Sequence, residues 1–274
     1  MRRYLIVGGV LMSWLLAQGS SSCLAQDNQR PETAQYEEPI TLFWLNTYGN
    51  IRLTNRLFWV AQTHFRRQES KETPFIGQWA QIYNRHAISY LYSKKFNMSL
   101  GGVLRINYNT KQKEGEARTT PEWRIWHEYQ FAIPFSRLMA YHRLRIEHRW
   151  TKGFKDADEF IFRNRWRYMF KIKMPLNKPK LGSNTFYLSP EAEIIMQSGK
   201  AVVDSPMEDL RLHMSLGYII NPRLTVATGM MYSQGQELAN GAYYKQKYTM
   251  RFHVYFAPDL RKVKNKLPAI HMDE

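Results

Sequence analysis

The sequence predicts an all-β protein, an antiparallel transmembrane β-barrel of about twelve strands, with ten as the fallback. Segments of about a dozen residues or more alternate apolar with polar side chains, long enough to cross a membrane as tilted strands. Short connections between these segments alternate with long ones, as they do in membrane barrels. The polar face of the strands is also strongly charged, which is typical of a barrel lumen.

The clearest alternation runs through residues 141–173, which we expect to form a long hairpin. Successive side chains on a strand point to opposite faces. The first arm therefore separates an apolar face from a charged one that carries Arg143, Arg145, Glu147 and Arg149. The second arm repeats the pattern with Arg163, Arg165 and Arg167. A soluble sheet buries its apolar face, whereas a membrane barrel turns that face to lipid and the charged face to its lumen.

The composition excludes a helical membrane protein but fits a barrel. The chain of 274 residues has a mean hydropathy of -0.52, far below that of a protein made of membrane-spanning helices. Its formal net charge of +16 would normally suggest nucleic acid as a partner. Most of the arginines, however, occupy every second position within strands, so we expect them to line a lumen and expect no nucleic-acid partner.

The N-terminus resembles a secretory signal. Residues 1–25 contain two arginines, an apolar stretch and small residues up to Ala25, and we expect cleavage there. The single cysteine, Cys23, permits a lipoprotein alternative, but Ser20 stands where that alternative requires a large aliphatic residue. The exported chain would then have no cysteine and no disulfide. Without another long apolar stretch, export leaves the periplasm, the medium or the bacterial outer membrane, and the barrel pattern favours the last.

The remaining chain divides into a polar leader at 26–39, the barrel at 40–256 and a basic tail at 257–274. Eleven segments within the barrel alternate clearly, which is an awkward number. If the last strand ends at the periplasmic side, the first of the eleven begins outside the cell. We therefore expect one more strand before it, for which residues 31–39 are the only candidate.

Aromatic residues at the strand ends predict two girdles on the lipid side. The outer girdle would consist of Trp123, Trp150 and Phe160, and the inner one of Phe131, Phe170 and Phe256. These residues imply outer-membrane lipid as a partner. A terminal strand that ends in an aromatic residue also looks like the signal read by the barrel-insertion machinery, which we expect as a second partner.

The predicted lumen carries a charge network across four neighbouring strands. Its members are Glu122, Arg124 and Glu128; Arg143, Arg145, Glu147 and Arg149; Arg163, Arg165 and Arg167; and Glu191 and Glu193. Opposite charges on adjacent strands can pair and fill a narrow lumen, which would make the network structural. Because arginines outnumber carboxylates, the network is also compatible with a track for anionic solutes.

Two other classes of protein remain open. A lipid-modifying enzyme of the outer membrane would need a serine beside His127, His142 or His148, which all project to the apolar face, and Ser136 lies in the opposite turn. A soluble periplasmic β-protein would alternate too, but would not need girdles or so charged a face. Asp156, Asp158 and Glu159 form a plain acidic loop, so we expect no metal site and no cofactor.

Three segments carry a family resemblance: WRIWHEYQF, YHRLRIEHRW and FRNRWRYMFKIKMPL. Together they resemble the DUF2490 family of bacterial outer-membrane proteins, whose function is uncharacterised. The shared features are the R-x-E-x-R-W core and an R-x-R-W/Y-R strand that ends in an apolar-Pro turn, and they are specific between about Glu122 and Leu176. The resemblance implies an outer-membrane barrel and brings no catalytic residues.

Overall fold

A computed structural model describes residues 34–200, 202, 205–236 and 242–263. The predicted signal peptide at 1–25, the leader up to residue 33 and the tail beyond residue 263 lie outside these residues. Within them, we find no helix of the length and apolar character that a membrane span demands.

The regular structure of the described residues is entirely β, as the sequence predicts. There are twelve strands: β1 (Gln35–Tyr36), β2 (Ile40–Arg52), β3 (Leu57–Gln68), β4 (Gln78–Ser93), β5 (Phe96–Tyr108), β6 (Thr119–Phe135), β7 (Leu138–Thr151), β8 (Ile161–Pro175), β9 (Thr185–Ser198), β10 (Met207–Asn221), β11 (Leu224–Gln236) and β12 (Tyr243–Phe256).

Eleven of these strands, β2 to β12, form a closed barrel in chain order. Neighbours along the chain pair antiparallel, but the barrel closes through a parallel pair between β12 and β2. This pair runs from Lys247 opposite Ile40 to Phe256 opposite Gly49. An odd number of alternating strands brings two strands of the same direction together at the closure. The expectation that all pairs would be antiparallel is therefore wrong at this seam.

The expected twelfth barrel strand is also wrong in its placement. Strand β1 does lie within the candidate residues 31–39, but it has only two residues. It pairs parallel with Tyr243 and Tyr244 of β12, and the opposite edge of β12 is already paired with β11 from Tyr244 onward. Strand β1 thus lies on the same edge of β12 as β2, and it is separated from β2 by Pro39, which has no N–H to donate to a ladder. It extends the parallel pairing along β12 and adds no further strand to the barrel.

The two ends of the barrel differ in their connections. Residues 69–77, 109–118 and 152–160 join strands at one end, which we call the long-loop end. Residues 53–56, 94–95, 136–137 and 222–223 join strands at the other, the short-turn end, where 176–184 is the longer exception. The chain enters the barrel at the long-loop end with β2 and leaves it at the short-turn end with β12.

The predicted alternation of faces is confirmed along the strands. In β6, Glu122, Arg124 and Trp126 are at most 3% exposed, whereas Trp123 and Ile125 between them are more than half exposed. The interior of the barrel is therefore polar and charged, and its exterior carries the large apolar side chains. This reverses the usual distribution of a soluble protein.

The register aligns most of the predicted girdle residues in two rows on the exterior. Trp123 pairs with Trp150, whose ring centroid lies 5.1 Å from that of Phe162. Phe160, which we expected in this row, lies just before β8 begins and is exposed. In the second row, His142 pairs with both Phe131 and Phe170. The last predicted girdle residue, Phe256, lies opposite Gly49 at the seam.

The first residues of the predicted tail prolong the seam beyond β12. The Arg52 amide donates to the Pro258 carbonyl at 2.8 Å, and the Leu260 amide donates to the Arg52 carbonyl at 3.0 Å. The Arg261 guanidinium in turn donates to the Asp259 carboxylate at 2.7 Å. Residues 257–263 are thus attached to the barrel at its short-turn end.

Candidate functional site: the charged lumen

The centre of the lumen is organised around Glu147. Its side chain is fully buried, and its carboxylate oxygens lie 2.7 Å from Arg124 Nη1 and 3.0 Å from Arg167 Nη1. Arg165 at 3.5 Å and Arg85 at 3.8 Å complete a set of four arginines around it. A buried carboxylate in such a place is stable only because several charged donors replace its water.

A second carboxylate, Glu122, lies on the long-loop side of Glu147. It is also fully buried and lies 2.8 Å from Arg105 Nη2 and 3.0 Å from Arg149 Nε, and it contacts Arg124 as well. Arg124 therefore bridges Glu122 and Glu147 with two different nitrogens. Arginine suits this position because its planar group presents several donors in fixed directions.

A third group of ion pairs lies on the other side of Glu147. Glu193 accepts from Arg167 and Arg143, with Nη2 atoms at 2.8 and 2.7 Å. Glu128 accepts from Arg145 Nε at 2.6 Å. Together the three groups extend the network across β6, β7, β8 and β9, the four strands that the sequence indicates.

Glu208 joins this network through an irregularity of β10. The register between β10 and β9 shifts by one residue between Met207 and Asp209. A bulge of this kind re-aims a side chain, and here Glu208 contacts Arg165 Nε at 2.7 Å and Arg149 Nη1 at 3.3 Å. Strict alternation would instead place Glu208 on the exterior together with Leu210.

Aromatic side chains occupy the lumen between the ion pairs. Trp126 is 1% exposed and has the Arg145 guanidinium carbon 4.7 Å and that of Arg85 5.5 Å from its ring centroid. Tyr83, which is 3% exposed, accepts hydrogen bonds from Arg66 and Arg105, each at 3.0 Å. Cations over aromatic faces are stabilised where water is excluded. These rings narrow the middle of the barrel.

Two of the cavities among these charged residues bear on function. The first, the vestibule, has a volume of about 450 Å³ and is lined by residues near the long-loop ends of the strands. The second, the middle cavity, has a volume of about 50 Å³ and is lined by residues such as Arg143, Lys171 and His213.

The lining of both cavities is strongly basic. Only four of the lining residues described are carboxylates, namely Glu191, Glu193, Glu208 and Asp209. The lysines and arginines of the lining number sixteen: Arg66, Arg85, Arg105, Arg124, Arg143, Arg145, Arg149, Arg163, Arg165, Arg167, Lys171, Lys173, Arg211, Lys245, Lys247 and Arg251. Even with Glu122, Glu128 and Glu147 behind this lining, the lumen keeps an excess of positive charge.

Towards the short-turn end the interior becomes more aromatic and less charged. The Lys173 ammonium lies between 5.2 and 5.7 Å from the ring centroids of Tyr141, Tyr187 and Tyr255. Tyr141 also packs with Phe58 and other buried apolar residues near the short turns. The lumen thus changes along its length from a wide basic vestibule to a narrow aromatic region.

The structure brings together most of the residues predicted from the sequence. Two of them are peripheral: Arg163 donates to Thr151 Oγ1 at 2.8 Å, and Glu191 lies 3.7 Å from Arg251. Sequence reasoning did not include Arg66, Arg85, Arg105, Arg211, Glu208 and Asp209 in the network. The four arginines and Asp209 occupy inward positions of alternating segments, so the period of two could have identified them, whereas nothing in the sequence marks the bulge at Glu208.

The exterior histidines have polar neighbours of their own. His148 Nδ1 lies 2.7 Å from Asn164 Oδ1, and His142 Nδ1 lies 2.8 Å from the Tyr168 hydroxyl. Ser198 pairs with Asn164 on the next strand and accepts from Trp166 Nε1 at 3.3 Å. In the described part of the chain, no group of three or more histidine, cysteine or acidic residues has a geometry that could hold a metal ion.

Comparisons with known proteins match a family model and a solved structure. The family model described as a protein of unknown function, DUF2490, matches residues 41–244. No curated protein matches the chain. One similar solved structure is the NanC porin in a rhombohedral crystal form, with 10% sequence identity and a TM-score of 0.44. The match covers 77% of this chain and 98% of that one.

Proposed function

The chain belongs to the DUF2490 family of proteins of unknown function, and from this premise we propose that it is an outer-membrane β-barrel whose lumen is a narrow passage for anionic solutes.

The exterior of the barrel supports the membrane location. Ile88, Leu100, Ile125 and Leu212 are between 50% and 63% exposed on the outward faces of four different strands. In water, apolar surface distributed around a whole barrel would promote aggregation, whereas lipid accommodates it. The secretory signal predicted at residues 1–25 agrees with export. Recovery of the folded protein in the soluble periplasmic fraction would overturn this part of the proposal.

The charge of the lining carries the proposal of anion selectivity. Sixteen lysines and arginines face the two cavities against four carboxylates. In a confined lumen with low-dielectric walls, an excess of fixed positive charge attracts anions and repels cations. The ion pairs keep the arginines in place, and the excess keeps the potential positive.

Planar-bilayer recording in a salt gradient tests the proposal. We expect a steady current whose reversal potential has the sign of anion permeation. Replacing Arg66, which lines the vestibule, with Gln should shift the reversal potential towards zero. Arg67→Gln removes the same charge from the next residue, whose guanidinium lies 5.1 Å from the ring of Trp79 on the exterior, and should leave the potential unchanged.

A closed structural barrel is the second candidate function. It is favoured by the buried ring of Trp126 and by the apolar group around Tyr141, which together fill the narrow part of the lumen. Absence of current from protein shown to be folded, by its faster gel migration before heating, would favour this candidate over the passage.

The enzymatic alternative depends on the exterior histidines. A serine hydrolase requires the serine hydroxyl within hydrogen-bonding distance of the histidine. The order across the strands is His148, Asn164 and Ser198, which places the asparagine between the other two. Hydrolysis of phospholipid by the folded protein, abolished by His148→Ala, would favour an enzyme over both other candidates.

A further inference from the structure

We propose that the vestibule contains a binding site for a phosphoryl group, formed by Arg66, Arg105 and Arg124 around Tyr83. This inference names the chemical class of the anion, and it rests on the proposed function only in that the vestibule must be open to solutes.

The three arginines come from three strands and converge on one ring. Arg66 and Arg105 lie on either side of β4 and donate to the Tyr83 hydroxyl from Nη1, each at 3.0 Å. The guanidinium carbons of Arg66, Arg105 and Arg124 lie 4.2, 5.4 and 5.4 Å from the centroid of the Tyr83 ring. All four residues line the vestibule.

Each arginine keeps a buried donor that the rest of the protein does not use. Arg124 gives Nε to Glu122 and Nη1 to Glu147, while its Nη2 is buried without a hydrogen-bond partner among the described residues. The Nε atoms of Arg66 and Arg105 are also buried without a hydrogen-bond partner among the described residues. Because Arg124 is only 3% exposed, leaving this donor unpaired is costly, and a small shift of the side chains in the vestibule wall would let an oxyanion satisfy it.

The arrangement favours a tetrahedral oxyanion over a carboxylate. A planar carboxylate matches the two parallel donors of one guanidinium. Here the unused donors belong to three guanidinium groups that approach from β3, β5 and β6. A phosphoryl group has oxygens that point in different directions and can accept from all three, and its second negative charge suits a lining with excess arginine.

The remaining space indicates an organic phosphate. The vestibule volume of about 450 Å³ lies within the range of small-molecule sites, and so exceeds what the phosphoryl group alone requires. Leu42 and Trp44 form an apolar part of its wall, with Arg66 held 3.6 Å from the Trp44 ring centroid. Trp44 Nε1 is buried without a partner in the described structure and would suit a hydroxyl of the ligand.

Isothermal titration calorimetry with the full chain refolded in detergent tests the site. The probes are inorganic phosphate and glucose 6-phosphate, titrated at constant ionic strength in chloride so that general screening is the same throughout. We expect saturable binding of both, with glucose 6-phosphate tighter. Arg66→Gln should weaken it by about tenfold or more, since hydrogen bonds to charged groups are strong.

Two control variants separate a specific site from general lumen charge. Arg67→Gln removes a charge from the same strand outside the lumen, and Lys173→Gln removes one from the narrow part of the lumen. Both should bind the probes as the unaltered protein does. Equal weakening by Lys173→Gln and Arg66→Gln, or absence of saturable binding to a protein that migrates as folded, would overturn the site.

Further titrations identify the source of the phosphoryl group and keep the two proposals distinct. Displacement of inorganic phosphate by glucose 6-phosphate would support a soluble ligand, and displacement only by phosphatidic acid in the micelle would support a lipid headgroup at the same site. Saturable phosphate binding without any current would keep the site and overturn the passage. Anion current without saturable phosphate binding would keep the passage and overturn the site.

Discussion

Glu147 Oε1 lies 3.0 Å from Arg167 Nη1 in the middle of the barrel, and neither side chain is more than 10% exposed. The other oxygen of the same carboxylate accepts from Arg124 at 2.7 Å. One negative charge thus lies between arginines from opposite directions, where water is too scarce to screen them from one another. The positive excess of the lumen is tolerated here because Glu147 separates the like charges.

Replacing Glu147 with Gln should destabilise the barrel by about 3 to 5 kcal/mol, because it leaves several buried arginines without their shared counter-charge. Urea unfolding followed by tryptophan fluorescence measures the loss. Glu191→Gln is the matched control, since Glu191 forms a longer ion pair, 3.7 Å from Arg251, and its side chain is 14% exposed. Unfolding midpoints that fall equally in the two variants would contradict a central role for Glu147.

Glu208→Gln should affect selectivity more than stability. Without this carboxylate, Arg149 still has Glu122 at 3.0 Å and Arg165 still has Glu147 at 3.5 Å, so neither arginine is left without a counter-charge. The vestibule loses one of its few negative charges and should become more selective for anions. Bilayer recordings in a salt gradient measure this as a larger reversal potential, and an unchanged or smaller one would contradict the role of Glu208 as a vestibule charge.

The inward and outward faces could be predicted from the sequence because a strand has a period of two. That rule alone places Glu122, Arg124 and Glu128 on one face and Trp123 on the other, as observed. It fails where a residue is inserted, because a bulge reverses the faces that follow on one side of it. The position of Glu208 depends on such a bulge, and the residues around it do not predict the bulge.

The closure of the barrel could not be predicted from strand patterns either. Alternation of side chains gives the number of strands but does not say which two strands pair to close the barrel. The parallel pair of β12 with β2 depends on contacts between distant parts of the chain. The expectation of an even number came from the side of the membrane on which the first strand begins, and it did not address which strands meet at the closure. The unused hydrogen-bond donors around Tyr83 could likewise not be predicted from the sequence, because they depend on which nitrogen each guanidinium gives to its partners.

Gly217→Ala should destabilise the narrow part of the lumen. A Cβ atom at position 217 would lie 2.1 Å from Cζ of Tyr187, whose ring is 1% exposed and cannot move freely. We expect a loss of about 1 to 3 kcal/mol, typical of overpacking, in the same urea assay. Gly102→Ala is the control, because its nearest neighbour would be a carbonyl oxygen at 3.7 Å. Equal stability of both variants would show that the Tyr187 side chain moves aside without loss of unfolding free energy.

Phe256→Ala should weaken the seam. The Phe256 ring covers Gly49, where a Cβ atom would lie 2.5 Å from the ring, so an aromatic side chain and a glycine fit together across the parallel pair. Thermal unfolding in detergent should occur at a lower temperature than in Phe135→Ala, which truncates a phenylalanine that is 71% exposed. Normal stability in detergent combined with loss from the membrane in cells would instead assign Phe256 to recognition by the insertion machinery alone.

Cysteine labelling of whole cells should show which end of the barrel faces outward. The only native cysteine, Cys23, lies in the predicted signal, so a single introduced thiol reports one position. Glu114→Cys is placed in an exposed loop at the long-loop end and Lys180→Cys in an exposed connection at the short-turn end. A membrane-impermeant maleimide should label position 114 in intact cells and position 180 only after the outer membrane is opened. The reverse pattern would place the basic vestibule at the periplasmic side, and the proposed anions would then enter it from within the cell envelope.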